Sequence, residues 1–252
     1  MGGRSPAAQR PAAMRAPWKL AAEARLMNAD TPAVLTTGMV HMLATATTEV
    51  PPSSPTIDRW LKDLVLSQKL RPVIKGVYLN LAGHRNVSPA AAAQWVRTRS
   101  IVSLAWVLEQ AGLTNNFGDT VTCVIPIEAG WSTPQVSDRK TQAGIFRFFA
   151  MPAHLNDERA GRLADLQDQR FDYRRATPEK ALLDWIYLGA SPRSRMTRPP
   201  FDLEIEPLSA ARLKRLAKGL NMAPLLESWR AERERYQANP EVEDNASSWL
   251  KI

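Results

Sequence analysis

Thr56, Arg59 and Lys62 follow one another at steps of three, so a helix through them presents one hydroxyl and two cations on a single face. Ser54 stands just ahead of this set, and Lys69, Arg71 and Lys75 follow in the next short segment. Groups of these types break no bonds. They donate hydrogen bonds: arginine pairs bidentately with the guanine edge, and serine, threonine and lysine hold phosphate oxygens. The chemistry expected here is recognition of double-stranded DNA, with Ser54, Thr56, Arg59 and Lys62 on a reading helix and Lys69, Arg71 and Lys75 as backbone contacts.

The usual catalytic signatures are missing from the rest of the chain. Neither a G-x-x-x-x-G-K loop, a G-x-G-x-x-G fingerprint nor a G-x-S-x-G elbow occurs. His41, His84 and His154 are isolated in sequence, with no second ligand at metal spacing. Cys123 sits among valines in a strand-like run and reads as core. Asp157-Glu158 fits a loop or helix start better than a catalytic dyad. A metal-dependent nuclease needs carboxylates on adjacent strands, and the strand-like runs TVTCVIPI and GIFRFF carry none, Glu128 lying just beyond the first. No catalytic residue, metal or cofactor is expected, and the chain reads as a protein that is not an enzyme.

The elements that must hold the DNA-facing residues are legible from apolar spacing. Pro17 to Met27 has helical periodicity, and a second helix spans Thr37 to Ala46 with Thr36 or Thr37 as its cap. Ile57, Trp60, Leu61, Leu64 and Val65 then fall at i, i+3, i+4, i+7 and i+8, the stripe of a third helix. KLRPVIKGVYLNLAG reads as a hairpin turning at Lys75-Gly76. Three helices and a basic hairpin are the ingredients of a winged helix. The remainder alternates: helices over SPAAAAQWVRTR and SIVSLAWVLEQAG, strands over DTVTCVIPIEAG and GIFRFFAM, and a short third strand at RFDYRRA. Helices follow over TPEKALLDWIYLG, SAARLKRLAKGL and PLLESWRAERERYQ. The fold class expected is α+β: an N-terminal winged helix-turn-helix followed by a mixed α/β C-terminal domain with a small sheet and several helices. Its divisions are a flexible basic arm at 1–16, the winged helix at 17–86, a C-terminal domain at 87–240 and a polar tail at 241–252.

Charge divides along the same line. Of the 252 residues, the first hundred hold 13 Lys and Arg against 5 Asp and Glu, which is the whole net charge of +8. The rest hold 20 of each sign. A basic segment joined to a neutral one points to a polyanion for the first and a different task for the second. With 44% hydrophobic and 23% charged residues a packed core is expected. A lone cysteine, no apolar run of membrane length and no leader-like N-terminus point to a cytoplasmic protein that engages no membrane.

The run ATPEKALLDWIYLG, Ala176 to Gly189, resembles the C-terminal hallmark of AbiEi-type antitoxins of type IV (abortive infection) toxin–antitoxin systems. TTGMVHMLATA, the Ile57–Leu70 helix and KGVYLNL are similar to that family's winged helix. SIVSLAWVLEQAGLTNN and TVTCVIPI with FRFF resemble its second domain, so the likeness spans roughly residues 30–190. The chain departs from the family in its basic arm and in the Pro-rich corner at 47–55. The resemblance implies a repressor that binds inverted repeats in its own promoter. It also implies a domain that neutralises a cognate nucleotidyltransferase toxin without requiring a stable complex. Read by themselves, Thr177, Pro178 and Glu179 are a helix start, and Ala181, Leu182, Trp185, Ile186 and Leu188 are its buried stripe. Lys180 and Asp184 are then the motif residues left for neutralisation. Arg174 and Arg175, with Arg193, Arg195 and Arg198, could add a second basic surface, although the latter three read more simply as a solvated loop. The residues also admit a winged-helix transcription factor whose C-terminal domain senses a ligand or dimerises.

Overall fold

Pro17 opens the first helix, and the chain from there to Val87 follows a simple order. α1 (Pro17–Leu26) leads to β1 (Val34–Thr36), α2 (Thr37–Thr45) and α3 (Ser54–Leu66), and β2 (Leu70–Ile74) turns back into β3 (Val77–Asn80). This is a computed structural model, and it describes residues 17–46, 49–84, 86–114, 118–129, 138–156, 163–194 and 196–238. The expected arm at 1–16, the tail at 241–252, the Asp157-Glu158 pair and Arg195 lie outside the described residues. Contacts divide the chain into two units, one of residues 1–72 and 76–87, the other of 73–75 and 88–252.

In the first unit the three strands form a sheet in the order β1-β3-β2, with β1 antiparallel to β3 from Val34↔Leu79 to Thr36↔Val77. Periodicity did not announce β1, because three residues are too few to alternate visibly. Thr36 ends it and caps α2, its hydroxyl accepting from the Met39 amide at 3.2 Å. The stripe of α3 is buried as its spacing requires: Ile57, Trp60, Leu61 and Leu64 pack with Leu26, Leu35, Val40 and Leu70. Trp18 of α1 meets Trp60 edge to face, with ring centroids 5.4 Å apart. Gly76 supplies the positive φ (78°) of the hairpin turn. Buried Asn80 fastens the hairpin to the end of α1: its amide donates to Leu26 O at 2.9 Å and its carbonyl accepts from Ala82 and Gly83. Gly83 passes so close that a Cβ there would stand 2.6 Å from Leu26 O.

The second unit is built on a sheet of order β4-β5-β7-β6, comprising Ile101–Val102, Thr120–Ile127, Gly144–Pro152 and Asp138–Thr141 respectively. β5 and β7 run parallel over eight residue pairs, and the outer pairings are antiparallel. Six consecutive residues of β5, Val121 to Pro126, are buried, as a central strand covered on both faces requires. Two elements differ from the reading of apolar periodicity. SPAAAAQWVRTR forms only a 3-10 turn (Pro89–Ala92) and the short α4 (Ala93–Val96). SIVSLAWVLEQAG is not one helix. Ile101 and Val102 pair with Val124 and Cys123, and α5 covers only Ala105–Gln110. Pairing of two β-branched residues overrides local helix preference there. The turn between them holds Leu104 at φ 62°, ψ −142°, a strained conformation of the kind costing about 1–3 kcal/mol. The Thr122 hydroxyl compensates by accepting from Trp106 N at 3.0 Å, in place of a cap on α5, while donating to Ser103 O at 2.7 Å. Of RFDYRRA, only the end joins the sheet: Val102 and Arg175 bridge in parallel, with Val102 N donating to Arg174 O.

A 3-10 turn (Ala153–Asn156) and α6 (Leu163–Leu166) lead to α7 (Pro178–Ala190), which packs against α5 and against α8 (Ala210–Gly219) and α9 (Ala223–Ala238). Among the described residues no helix is long and apolar enough to cross a membrane. The molecule is of mixed α+β class.

Candidate nucleic-acid interface

α3 starts after Ser53, whose backbone is extended and whose carbonyl closes the first turn on Thr56 N and Ile57 N. Pro55 in that turn has no N–H to leave unsatisfied. Burial of the Ile57–Leu64 stripe forces the opposite face outward, and Ser54, Thr56, Arg59 and Lys62 are all exposed. Among the described residues no ion pair engages Arg59 or Lys62. The exposed side of α3 also carries two carboxylates, Asp58 and Asp63. Asp58 lies 2.9 Å from His41 Nε2, and Asp63 lies 3.9 Å from Lys19 Nζ. Each is answered from a neighbouring helix, which leaves the two cations of α3 for an outside partner. The hydroxyls have partners of their own: Thr56 Oγ1 is 2.9 Å from Ser53 Oγ, and Ser54 Oγ is 3.5 Å from His41 Nδ1.

The three hairpin cations do not behave alike. Arg71 and Lys75 are exposed. Lys69 is half-buried, and its ammonium is held by Glu23 of α1, itself only 13% exposed. Lys69 therefore ties the start of the hairpin to α1. Its sequence position beside Arg71 concealed this because the partner lies 46 residues away.

The motif helix of the second unit inverts the pattern of α3. Thr177 caps it, accepting from Lys180 N at 3.3 Å and donating to Asp165 O at 2.8 Å, and Pro178 takes the first turn. Glu179 is buried and accepts from the backbone N–H of Ser209, the cap of α8, at 3.1 Å. Lys180 and Asp184, which an amphipathic reading places outside the stripe, are each 1% exposed at the side chain and paired with each other one turn apart. Ser103 donates to Asp184 at 2.7 Å, and Lys180 donates to Asn156 Oδ1 at 3.0 Å. Burial pushes the Asp184 carboxyl above the ordinary carboxylate range, against the opposing pull of Lys180 and Ser103. Sequence reasoning did not find Ser103 or Asn156. The available signal was a lysine and an aspartate four apart in a run otherwise almost wholly apolar.

Of the arginines considered for a second basic surface, Arg193 is exposed and two are otherwise engaged. Arg175 is buried, with its guanidinium 4.1 Å from the centroid of Phe171, and Arg198 pairs with Glu232. Beside this segment a cavity of about 570 Å³ opens between α4 and residues 167–174, lined by Gln94, Trp95, Gln169, Phe171, Tyr173 and Arg174 among others. Among the described residues no group of three His, Cys, Asp or Glu side chains is placed to hold a metal ion.

No family model matches the chain, and no curated protein matches it. Among solved structures, the crystal structure of the RV2827C protein from Mycobacterium tuberculosis is similar to 84% of this chain over 77% of its own length. The two share 17% of their residues, with a TM-score of 0.48, a likeness too slight to carry an argument about fold or activity.

Proposed function

We propose that the protein is a DNA-binding repressor of the antitoxin kind, with a winged helix as its first unit. The observation that carries the DNA-binding part is the element order. A helix, a strand, two helices and a hairpin close a β1-β3-β2 sheet, and α3 turns Ser54, Thr56, Arg59 and Lys62 to solvent. In such a module the third helix enters the major groove by its N-terminal end, and the hairpin meets the backbone. Arg59 is the base-reading residue of this account, and Thr56, Lys62, Arg71 and Lys75 hold phosphates. The net +8 concentrated in the first hundred residues supplies long-range attraction for the duplex. The antitoxin part rests on the resemblance of Ala176–Gly189, and it names a nucleotidyltransferase toxin as the protein to be neutralised. Because Lys180 and Asp184 are sealed inside the second unit, they serve that task by holding the domain together.

Footprinting on the DNA upstream of the protein's own gene tests the first part, with protection of inverted half-sites expected. Growth of cells expressing an adjacent nucleotidyltransferase gene, with and without this protein, tests the second. Protection without rescue would leave a repressor that is no antitoxin. A second reading, a transcription factor whose second unit senses a small ligand, is favoured by the cavity beside α4.

A further inference from the structure

Two arginines of the chain itself show what the segment facing α4 recognises. Arg170 forks the Asp168 carboxylate at 2.9 and 2.7 Å, and Arg175 lays its guanidinium 4.1 Å from the centroid of Phe171. A paired edge and a stacked face are the two contacts that suit a guanidinium. The cavity between α4 and residues 167–174 carries a second set of the same two partners. Asp172 is exposed on its lining, and among the described residues no ion pair engages it. Trp95 lines it too and is 47% exposed, with no cation of the described residues over its ring. The lining holds two carboxylates, Asp168 and Asp172, against one arginine, Arg174, which already has an interaction within the chain. That balance favours a cation over an anion. Gln94 and Gln169 bring carboxamide oxygens that can accept the remaining N–H groups of a guanidinium.

We infer that this cavity binds a guanidinium group, its face against Trp95 and its edge on Asp172. The inference names a ligand class for the cavity, and it does not require the first unit to bind DNA. A volume of about 570 Å³ falls within the usual range for small-molecule sites and leaves room for the aliphatic stem behind the guanidinium. The cation over the indole and the fork on the carboxylate act together, so a neutral group of the same shape gains neither. The same chemistry is offered by a free small guanidine or by an arginine side chain of a partner protein, and the backbone around the arginine separates the two.

The experiment is titration of the full chain, without DNA, by agmatine, by a capped Gly-Arg-Gly peptide and by the same peptide with citrulline in place of arginine. Binding is read by calorimetry. Saturable binding of at least one guanidinium compound is expected, with none of the citrulline peptide, which keeps the shape and lacks the charge. Asp172→Asn, an isosteric change at an exposed position, should weaken binding about tenfold. Trp95→Ala should weaken it about fivefold, and circular dichroism of both variants should match the unaltered chain. A peptide that binds more tightly than agmatine assigns the site to a partner's arginine, and tighter binding of agmatine assigns it to a free guanidine. Absence of saturable binding up to about 10 mM of either guanidinium compound overturns the inference. So does equal binding of the citrulline peptide, or binding that Asp172→Asn and Trp95→Ala leave intact. Because no DNA is present, any of these failures leaves the repressor reading untouched.

Discussion

α3 and α7 are both 13 residues long, and both place a proline in the first turn. In α3 the charged residues lie outside and the aliphatic stripe lies inside, while in α7 both kinds lie inside. α3 covers its unit on one flank only, so half its circumference meets water and charge there costs nothing. α7 is surrounded by α5, α8 and α9, so any charge it carries must be satisfied within the protein. Lys180 and Asp184 meet that demand by pairing one turn apart, with Ser103 and Asn156 taking further hydrogen-bonding capacity. A charged residue in a helix is therefore evidence of a binding face only when the helix has a free side.

Breaking the buried pair should have the largest effect. Asp184→Ala strands the Lys180 ammonium in the core and should cost about 3–5 kcal/mol in urea denaturation. The double variant Lys180→Met/Asp184→Leu should recover most of that loss, because a matched apolar pair needs no compensation. A loss under about 1 kcal/mol in Asp184→Ala would mean the charges are not sealed as described. Next comes Gly83→Ala in the first unit. Its new Cβ falls 2.6 Å from Leu26 O, and the forced backbone shift should cost about 1–3 kcal/mol. Thr177→Ala removes the cap of α7 at about 1 kcal/mol, and Thr177→Ser should retain most of it.

Acid sharpens the same contrast at a smaller scale. Arg170 holds the Asp168 carboxyl below its usual range, chiefly through their hydrogen bonds. A folded value below the unfolded one stabilises the protein above the unfolded pKa of about 3.9, and the contribution disappears as pH falls through the folded value. Asp168→Asn should therefore lower stability at neutral pH and converge with the unaltered chain in acid unfolding. The smallest effects belong to α3, where Arg59→Ala and Lys62→Ala should leave stability within about 0.5 kcal/mol.

Periodicity made the first unit legible, because each of its helices has one wet face and one dry one. Ile57, Trp60, Leu61 and Leu64 are buried as their spacing demanded, and Gly76 turns the hairpin. The second unit was less legible for two physical reasons. Strands of two or four residues, β4 and β6, are too short to alternate visibly, and their pairing depends on partners distant in sequence. The stripe read in α7 (Ala181, Leu182, Trp185, Ile186 and Leu188) is buried, but burial extends beyond it to Lys180 and Asp184, which resembled surface groups. The cap at Thr177 was readable because capping is local. The Lys69–Glu23 pair and the Ser103 bond to Asp184 were not, because they span 46 and 81 residues of sequence.

The central claim, that the open face of α3 reads DNA, is tested most directly by fluorescence anisotropy of the full chain. The ligands are a duplex from upstream of its own gene and a scrambled duplex of equal length, across a series of salt concentrations. The account predicts preference for the native duplex and a log affinity that falls linearly with log salt. Arg59→Ala should lose about 1–3 kcal/mol of that preference, and Lys62→Ala should lower the salt slope by about one. Equal binding of both duplexes, unchanged by Arg59→Ala, would contradict it.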